Sequence, residues 1–139
     1  MKLLDLFCGA GGAAMGYRQA GFDEIVGVDN QPQKRYPFEF VQADALEYLA
    51  QHGREFDVIH ASPPCQGYSK LRRVPYNKGK KYALLIEPTR RLLRSSGKPY
   101  SIENVAGACK KTSDCALRCH QHAKKRGCEL CSYFGVEHV

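Results

Sequence analysis

The sequence contains no tryptophan and only two methionines among its 139 residues. It has no apolar run near the roughly 20 residues that a membrane-spanning helix needs. Residues 1–4 lead straight to an acid at Asp5, which does not fit the apolar core of a signal peptide. We therefore expect a cytoplasmic protein. In that reducing compartment its seven cysteines should be free, metal-bound or catalytic, and not paired in disulfides.

Acidic side chains are nearly absent from residues 70–98, which hold ten Lys or Arg and a single acid, Glu87. Residues 1–69 hold five Lys or Arg and nine acids, so the basic segment carries more than the whole chain's net charge of +7. Charge runs usually form solvated faces. This one begins five residues after Cys65, a candidate nucleophile. That position favours a polyanionic partner, and above all a nucleic acid.

The candidate nucleophile follows a short apolar run. Residues 56–61 predict a buried strand, and Pro63 and Pro64 end it because proline cannot donate to a sheet ladder. A cysteine at such a place is most often a small core residue. Cys65, however, precedes the polar and flexible residues 66–69. We therefore expect its thiol at a loop mouth beyond a strand's carboxyl end, where open α/β sheets place their chemistry.

Short apolar strands alternate with helical patterns over most of the chain. Strands are predicted at residues 2–7, 24–29, 38–43, 56–61 and 99–105, and helices at residues 13–20, 45–51 and 82–96. Pro88 leaves two alternatives for the last helix, a kink or a start of its main part near the proline. Arg90, Arg91 and Arg94 are expected off its apolar face. The alternation predicts an α/β fold with a Rossmann-like, doubly wound, mostly parallel sheet.

A glycine turn at residues 8–12 separates the first strand from the first helix. Gly9 to Ala14 fits the dinucleotide pattern G-x-G-x-x-A as well as it fits a methyl-donor site. Asp29, at the end of the second strand, lies 18 residues after Gly11, near the spacing at which a carboxylate binds ribose hydroxyls. Glu103 falls in the fifth predicted strand, where a buried carboxylate needs a partner or a function.

Five segments together resemble, in order and spacing, the signature motifs of the cytosine-C5 DNA methyltransferase family of bacteria and phages. The segments are DLFCGAGG at 5–12, VDN at 28–30, DA at 44–45, PPCQ at 63–66 and ENV at 103–105. The resemblance covers residues 1 to about 105, the family's N-terminal catalytic part. Amino-group DNA methyltransferases carry an aromatic residue after Pro-Pro. The cysteine found here therefore favours methylation at carbon.

The resemblance implies a methyltransferase fold that uses S-adenosylmethionine to methylate C5 of cytosine in double-stranded DNA. It implies that Cys65 attacks C6 of the base and that Glu103 hydrogen-bonds or protonates N3. The residues that it places at the cofactor are Asp5, Phe7, Gly9, Ala10, Gly11, Asp29, Asn30, Asp44, Ala45 and Pro63. The nucleic-acid contacts are expected from Gln66, Gly67, Ser69, Lys70, Arg72 and Arg73.

Beyond Val105 the resemblance weakens. Within a single domain spanning 1–139, residues 106–129 form a Cys/Lys-rich insertion, and residues 130–139 resemble the start of a strand region that is truncated relative to the family. The weak zinc candidates are Cys115, Cys119, Cys128 and Cys131. Only Cys128-x-x-Cys131 has the usual ligand spacing, so free thiols are favoured over a metal site.

Three functions stay open at this stage. The leading one is a DNA cytosine methyltransferase of restriction–modification or phage biology, in the cytoplasm of a bacterial cell or a phage-infected host. The second is a catalytically incomplete module that binds S-adenosylmethionine or nucleic acid, or one subunit of a split enzyme whose second polypeptide carries the target-recognition domain. The third is a methyltransferase that acts on cytosine in tRNA.

Overall fold

The computed structural model describes residues 1–67 and 82–105. Within them lies a five-stranded parallel sheet in the order β3-β2-β1-β4-β5. The strands are β1 (Lys2–Leu6), β2 (Glu24–Asp29), β3 (Glu39–Gln42), β4 (Val58–Ala61) and β5 (Tyr100–Ile102). The helices are α1 (Gly12–Gln19), α2 (Ala45–His52) and α3 (Ile86–Ser96), with one 3-10 turn at Gly53–Glu55. Strand order reverses at β1, and open α/β sheets bind ligands at such a switch point.

Helices cover both faces of the sheet, which confirms the doubly wound prediction. Alternate side chains of a strand point to opposite faces. In β1, Leu4 and Leu6 join the apolar cluster beneath α2 and α3, whereas Leu3 joins a second cluster beneath α1. Each of these three leucines is fully buried. No helix among residues 1–67 and 82–105 is long and apolar enough to cross a bilayer.

The last helix differs from its predicted extent and from its predicted apolar face. Helix α3 begins at Ile86, so Pro88 lies in the first turn, where its missing N–H leaves no helical bond unmade. With this start, positions 86, 90 and 93 share the core-facing side. Arg90 is therefore fully buried and donates to Glu87 Oε2 over 2.9 Å, contrary to the prediction that it lies off the apolar face. Leu84 precedes the helix and is 52% exposed.

The fifth strand is shorter than predicted. It pairs with β4 only from Ile59 to Ala61, because the proline pair ends β4 directly afterwards. The predicted strand at residues 99–105 is thus reduced to three residues, and Glu103 lies just beyond it. The backbone N–H of Glu103 still donates to the carbonyl of Ala61 over 2.9 Å, so the chain stays against β4 for one more residue.

A buried acid lies in the middle of β1. The Asp5 side chain is 1% exposed and accepts one hydrogen bond, from the Tyr36 hydroxyl at 3.1 Å. Its other oxygen has no hydrogen-bond partner among residues 1–67 and 82–105. The Tyr36 ring lies over Gly27 so closely that a Cβ there would come within 2.2 Å of Cζ, which explains a glycine in the centre of β2. Burial raises the pKa of Asp5 to about 6, the Tyr36 bond lowers it, and nearby negative charges raise it further.

This raised pKa predicts that the Asp5 carboxyl weakens the fold as pH rises. The unfolded chain loses the Asp5 proton near pH 3.8 and the folded chain near 6, so stability is full below pH 3.8 and falls as pH rises to 6. Two pKa units correspond to about 3 kcal/mol. The variant Asp5→Asn does not titrate. Its free energy of unfolding relative to wild type should therefore rise by about that amount between pH 4 and 7.5.

Urea denaturation of both proteins across this pH range is the measurement. Asp57→Asn is the matched control, because the Asp57 side chain is exposed and accepts the backbone N–H of Lys2. A difference between wild type and Asp5→Asn that stays constant with pH would contradict the account of the buried carboxyl.

Candidate active site

The carboxyl ends of four strands meet along one edge of the sheet. Leu6 pairs with Val28 and with Ala61, and Ala61 pairs with Ile102. The residue that directly follows each of these strand ends therefore lies at the same height along the sheet edge. A binding crevice is expected at this edge. These residues are Phe7, Asp29, Ser62 and Glu103.

The glycine turn after β1 is fixed against the end of β2. The N–H of Gly9 donates to Asp29 Oδ2 at 3.1 Å, and the N–H of Gln31 donates to Oδ1 at 2.9 Å. Gly9 and Gly11 have φ values of 49° and 88°, in the left-handed region that favours glycine. A Cβ at Gly11 would also lie 2.6 Å from the Pro37 ring. The turn thus holds the Asp29 carboxylate in one orientation, with lone pairs left for further donors.

Other cofactor candidates follow the ends of β1, β2 and β3 and differ in their environments. Ala10 and Asn30 are exposed, whereas Ala45 is buried in the core at 3%. Asp44 begins helix α2, where its Oδ1 accepts the backbone N–H groups of Leu46 and Glu47. This capping role was missed from the sequence, although an acid three residues before Glu47 is a recognisable helix-start pattern.

Two hydrogen bonds hold the Pro-Pro-Cys turn in place. The side-chain amide of Asn104 donates to the Pro63 carbonyl at 2.6 Å. The N–H of Ser62 donates to the carbonyl of Leu6 at 3.1 Å. The first bond ties the turn to the segment after β5, and the second ties it to β1. The chain that carries Cys65 is therefore fastened beside the chain that carries Glu103.

Both proposed catalytic side chains are reachable from solvent. Cys65 is a free thiol of intermediate exposure. The Glu103 side chain is 68% exposed, which corrects the expectation of a carboxylate inside a buried strand. Cys8 contrasts with Cys65, because burial, together with Asp5 and Asp29, raises its pKa to about 12. The Cys8 thiol therefore stays protonated at neutral pH.

A buried histidine that sequence reasoning did not select lies behind Glu103. His60 is 5% exposed, and its Nε2 lies 2.9 Å from Ser62 Oγ and 3.9 Å from Glu103 Oε2. Its Nδ1 faces the hydroxyls of Ser101 and Tyr17. Burial lowers the pKa of His60, and the Glu103 carboxylate partly opposes that shift. A histidine in an otherwise apolar strand was the available signal, because such a ring requires polar partners.

Of the six predicted nucleic-acid contacts, two lie within the described residues. Gln66 is exposed and Gly67 is buried directly after Cys65. Ser69, Lys70, Arg72 and Arg73 lie outside the described residues, as do the zinc candidates Cys115, Cys119, Cys128 and Cys131. Among residues 1–67 and 82–105, no group of three or more His, Cys, Asp or Glu side chains is arranged to hold a metal ion.

Comparison with known proteins gives strong matches in sequence. Type II methyltransferase M.FnuDI from Fusobacterium nucleatum is 33% identical over 127 residues, covering 85% of this chain and 36% of that protein. Type II methyltransferase M.AgeI from Thalassovita gelatinovora is 33% identical over 138 residues, covering 78% of this chain and 32% of that protein. The chain thus spans about a third of the length of these relatives.

Solved structures add little to these sequence matches. A short-chain dehydrogenase/reductase superfamily protein from Agrobacterium tumefaciens with bound NAD superposes with a TM-score of 0.47 at 16% identity, covering 76% of this chain and 32% of that chain. A likeness of that size supports no conclusion about function. The family model described as C-5 cytosine-specific DNA methylase matches residues 1–127. The chain belongs to the C-5 cytosine-specific DNA methylase family.

Proposed function

We propose that this chain forms the catalytic part of a DNA cytosine-C5 methyltransferase that works through a covalent bond to Cys65. The observation that carries the proposal is the bond from Asn104 to the Pro63 carbonyl. It ties the chain segment that carries Cys65, a free and part-exposed thiol, to the segment that carries Glu103, an exposed carboxyl. A nucleophile and a proton-holding group are the two side chains that methylation at C5 requires.

The reaction needs a thiolate because C5 of cytosine is a poor nucleophile within an aromatic ring. A bond from Cys65 Sγ to C6 breaks the aromaticity and moves an electron pair toward C5. C5 would then take the methyl group as the carbon–sulfur bond of the sulfonium donor breaks and the donor leaves as a thioether. Loss of the C5 proton to a base would expel the thiolate and restore the ring. Negative charge develops on the N3 and O2 side, so a proton held by Glu103 at N3 stabilises the transition state, typically by 10²–10⁴-fold.

The residues around Asp29 fit S-adenosylmethionine. A carboxylate with both oxygens already fixed by backbone donors can still accept the two hydroxyls of a ribose. A Cβ at Gly9 would meet nothing within 4 Å, so the backbone is open to a ligand at that point. When bound, S-adenosylmethionine supplies an electrophilic methyl group. Asp5, which is buried and accepts a hydrogen bond from the Tyr36 hydroxyl, stays a predicted member of the cofactor site.

The other proposed cofactor contacts follow the order of the strand ends. Phe7, Ala10 and Gly11 belong to the turn after β1, and Pro63 begins the turn that carries Cys65. The adenine would lie beside Asn30, Asp44 and Ala45, at the ends of β2 and β3.

Double-stranded DNA is the proposed partner, and the basic segment after Cys65 supports it. Arg91 and Arg94 are exposed on α3, and the segment's other basic residues include Lys70, Arg72 and Arg73. Phosphate contacts of this kind give affinity without sequence preference. The target cytosine must leave the base stack before Cys65 can approach its C6 atom. Gln66 and Gly67, next to the thiol, and Ser69 are the proposed contacts to the displaced nucleotide.

The proposed domain organisation is a catalytic core at residues 1–105 followed by the segments 106–129 and 130–139. A separate polypeptide with a target-recognition domain and a place in the cytoplasm of a bacterium or an infected host stay predictions. So do the alternatives of a binding module without turnover and of a tRNA methyltransferase. The following experiment separates the alternatives from the leading proposal.

Covalent trapping with 5-fluorocytosine tests the proposal, because fluorine at C5 prevents the proton loss that would release the enzyme. The chain is incubated with S-adenosylmethionine and duplex DNA containing 5-fluorocytosine, and then denatured in detergent. We expect a band that survives denaturation with wild type and is absent with Cys65→Ser. Glu103→Gln should slow its formation by about 10²–10⁴-fold.

Cys8→Ser is the matched control and should keep the adduct, since that thiol is buried and protonated. A parallel reaction uses 5-fluorocytosine tRNA. An adduct with tRNA alone would indicate that the substrate is RNA and not DNA. Cofactor binding without any adduct, or an adduct that persists in Cys65→Ser, would overturn it.

A further inference from the structure

A row of imidazole and hydroxyl groups leads from α1 and β5 to the start of the Pro-Pro-Cys turn. The strand register pairs His60 of β4 with Ser101 of β5, and the Tyr17 hydroxyl of α1 reaches both side chains. Ser62 directly follows β4, and its Oγ lies 2.9 Å from His60 Nε2. Ser62 is also the residue that precedes Pro63. The row therefore ends on the residue from which the turn departs.

The His60 ring has hydroxyl partners on both edges. The ring is 5% exposed, and its Nδ1 lies 2.8 Å from Ser101 Oγ and 3.2 Å from the Tyr17 hydroxyl. Those two oxygens are 2.8 Å apart. Contacts on opposite edges leave a buried imidazole a single orientation. The Oγ of Ser62 therefore meets a nitrogen that is itself held in place.

The bond between His60 and Ser62 is compatible with either proton position on the ring. Burial lowers the pKa of His60, so the ring is neutral near pH 7 and has one donor and one acceptor nitrogen. A serine hydroxyl can donate or accept, and it matches Nε2 in both tautomers. Glu103 Oε2 lies 3.9 Å from the same nitrogen, beyond hydrogen-bond distance. Ser62 is thus the hydrogen-bond partner of this edge.

The two prolines carry the orientation of Ser62 forward along the chain. The rings of Pro63 and Pro64 fix φ at both positions. A residue that precedes proline is also restricted to extended values of ψ, and this applies to Ser62 and to Pro63. Few backbone dihedral angles between Ser62 and Cys65 therefore stay free. A rotation of Ser62 would redirect the whole turn and the thiol with it.

Ser62 is held at two points. Its backbone N–H donates to the carbonyl of Leu6 at 3.1 Å, and its Oγ bonds His60 Nε2. The backbone bond alone would leave the residue free to pivot about that contact. The side-chain bond supplies the second point and fixes the direction in which the chain leaves β4.

We propose that His60 is a positioning residue for Cys65: it holds Ser62 at Oγ, and the two prolines transmit that orientation to the thiol. The inference rests on the proposed function, because it assigns His60 a part in presenting Cys65 to the base. His60 itself does not touch the substrate.

Two substitutions separate the two edges of the ring. The amide of Gln reaches the place of Nε2, whereas the amide of Asn reaches only the place of Nδ1. In the covalent trapping assay, His60→Gln should stay within about threefold of wild type, and His60→Asn should be about tenfold slower. Equal trapping rates for wild type and His60→Asn would overturn the inference.

A double-mutant cycle tests whether His60 acts through Ser62. Ser62→Ala should slow trapping by about tenfold, as His60→Asn does. The double variant should then be no slower than the slower single variant, because both changes remove the same bond. Independent effects would multiply to about a hundredfold, and that result would refute action through Ser62.

Ser96→Ala is the matched control for Ser62→Ala. Ser96 is also part-exposed, and its Oγ donates to the carbonyl of Leu93 and accepts the N–H of Lys98 at the far end of α3. We expect Ser96→Ala to leave the trapping rate within about twofold of wild type. Ser62→Ala should lower the maximal rate and leave the half-saturating DNA concentration unchanged, since phosphate contacts give the affinity. Equal rates in the two serine variants would contradict the proposed role.

Amide hydrogen exchange measured by NMR tests the holding of Ser62 without catalysis. We expect the Ser62 N–H to exchange about fivefold faster in His60→Asn than in wild type, because its bond to Leu6 loses the support of the side-chain bond. His60→Gln should leave that exchange within about twofold of wild type. Equal exchange in His60→Asn and wild type would show that His60 does not hold Ser62.

These measurements distinguish two kinds of failure. If wild type forms no adduct while His60→Asn speeds exchange of the Ser62 N–H, the proposed function is wrong and the bond from His60 to Ser62 stands. If the adduct forms and His60→Asn behaves as wild type in both assays, the proposed function stands and the inference is wrong.

Discussion

The site depends on one hydrogen bond, from the Asn104 side-chain amide to the carbonyl of Pro63. Pro63 and Pro64 have no backbone N–H, so these two residues can be fastened only through their carbonyl groups. The Pro63 carbonyl must accept from elsewhere, and the residue that donates directly follows Glu103. The bond that shapes the nucleophile's turn therefore also fixes the distance between the two chain segments that carry the chemistry.

The two faces of the sheet differ in the polarity of the side chains that they bury. The face beneath α2 and α3 is lined by apolar side chains, including Leu4, Ile59 and Leu93, all fully buried. The face beneath α1 contains a buried acid, a buried histidine and their hydroxyl partners. Buried polar groups are costly unless they are satisfied. The apolar face therefore supplies stability that offsets the cost of burying Asp5 and His60 on the other face.

Strand and helix positions followed from the sequence because parallel strands buried on both faces are short apolar runs that glycine and proline end. The sequence also predicted that the candidate residues lie at strand ends, while their roles in the site stay predictions. What could not be predicted depends on register. The burial of Arg90 follows from where α3 begins, and the partners of His60 come from α1, β4 and β5, three segments far apart in the chain. Single-sequence patterns contain no information on such cross-strand neighbours.

The most direct test of the account is the rate at which Cys65 is trapped on 5-fluorocytosine DNA in Asn104→Ala, with the site of attachment identified by peptide mass spectrometry. Gln51→Ala removes an exposed side-chain amide on α2, outside the proposed site, and serves as the matched control. The account predicts that Asn104→Ala slows trapping at Cys65 by about tenfold or more, at a loss of about 1–2 kcal/mol in stability. A trapping rate equal to that of wild type, in a variant that keeps its fold, would contradict it.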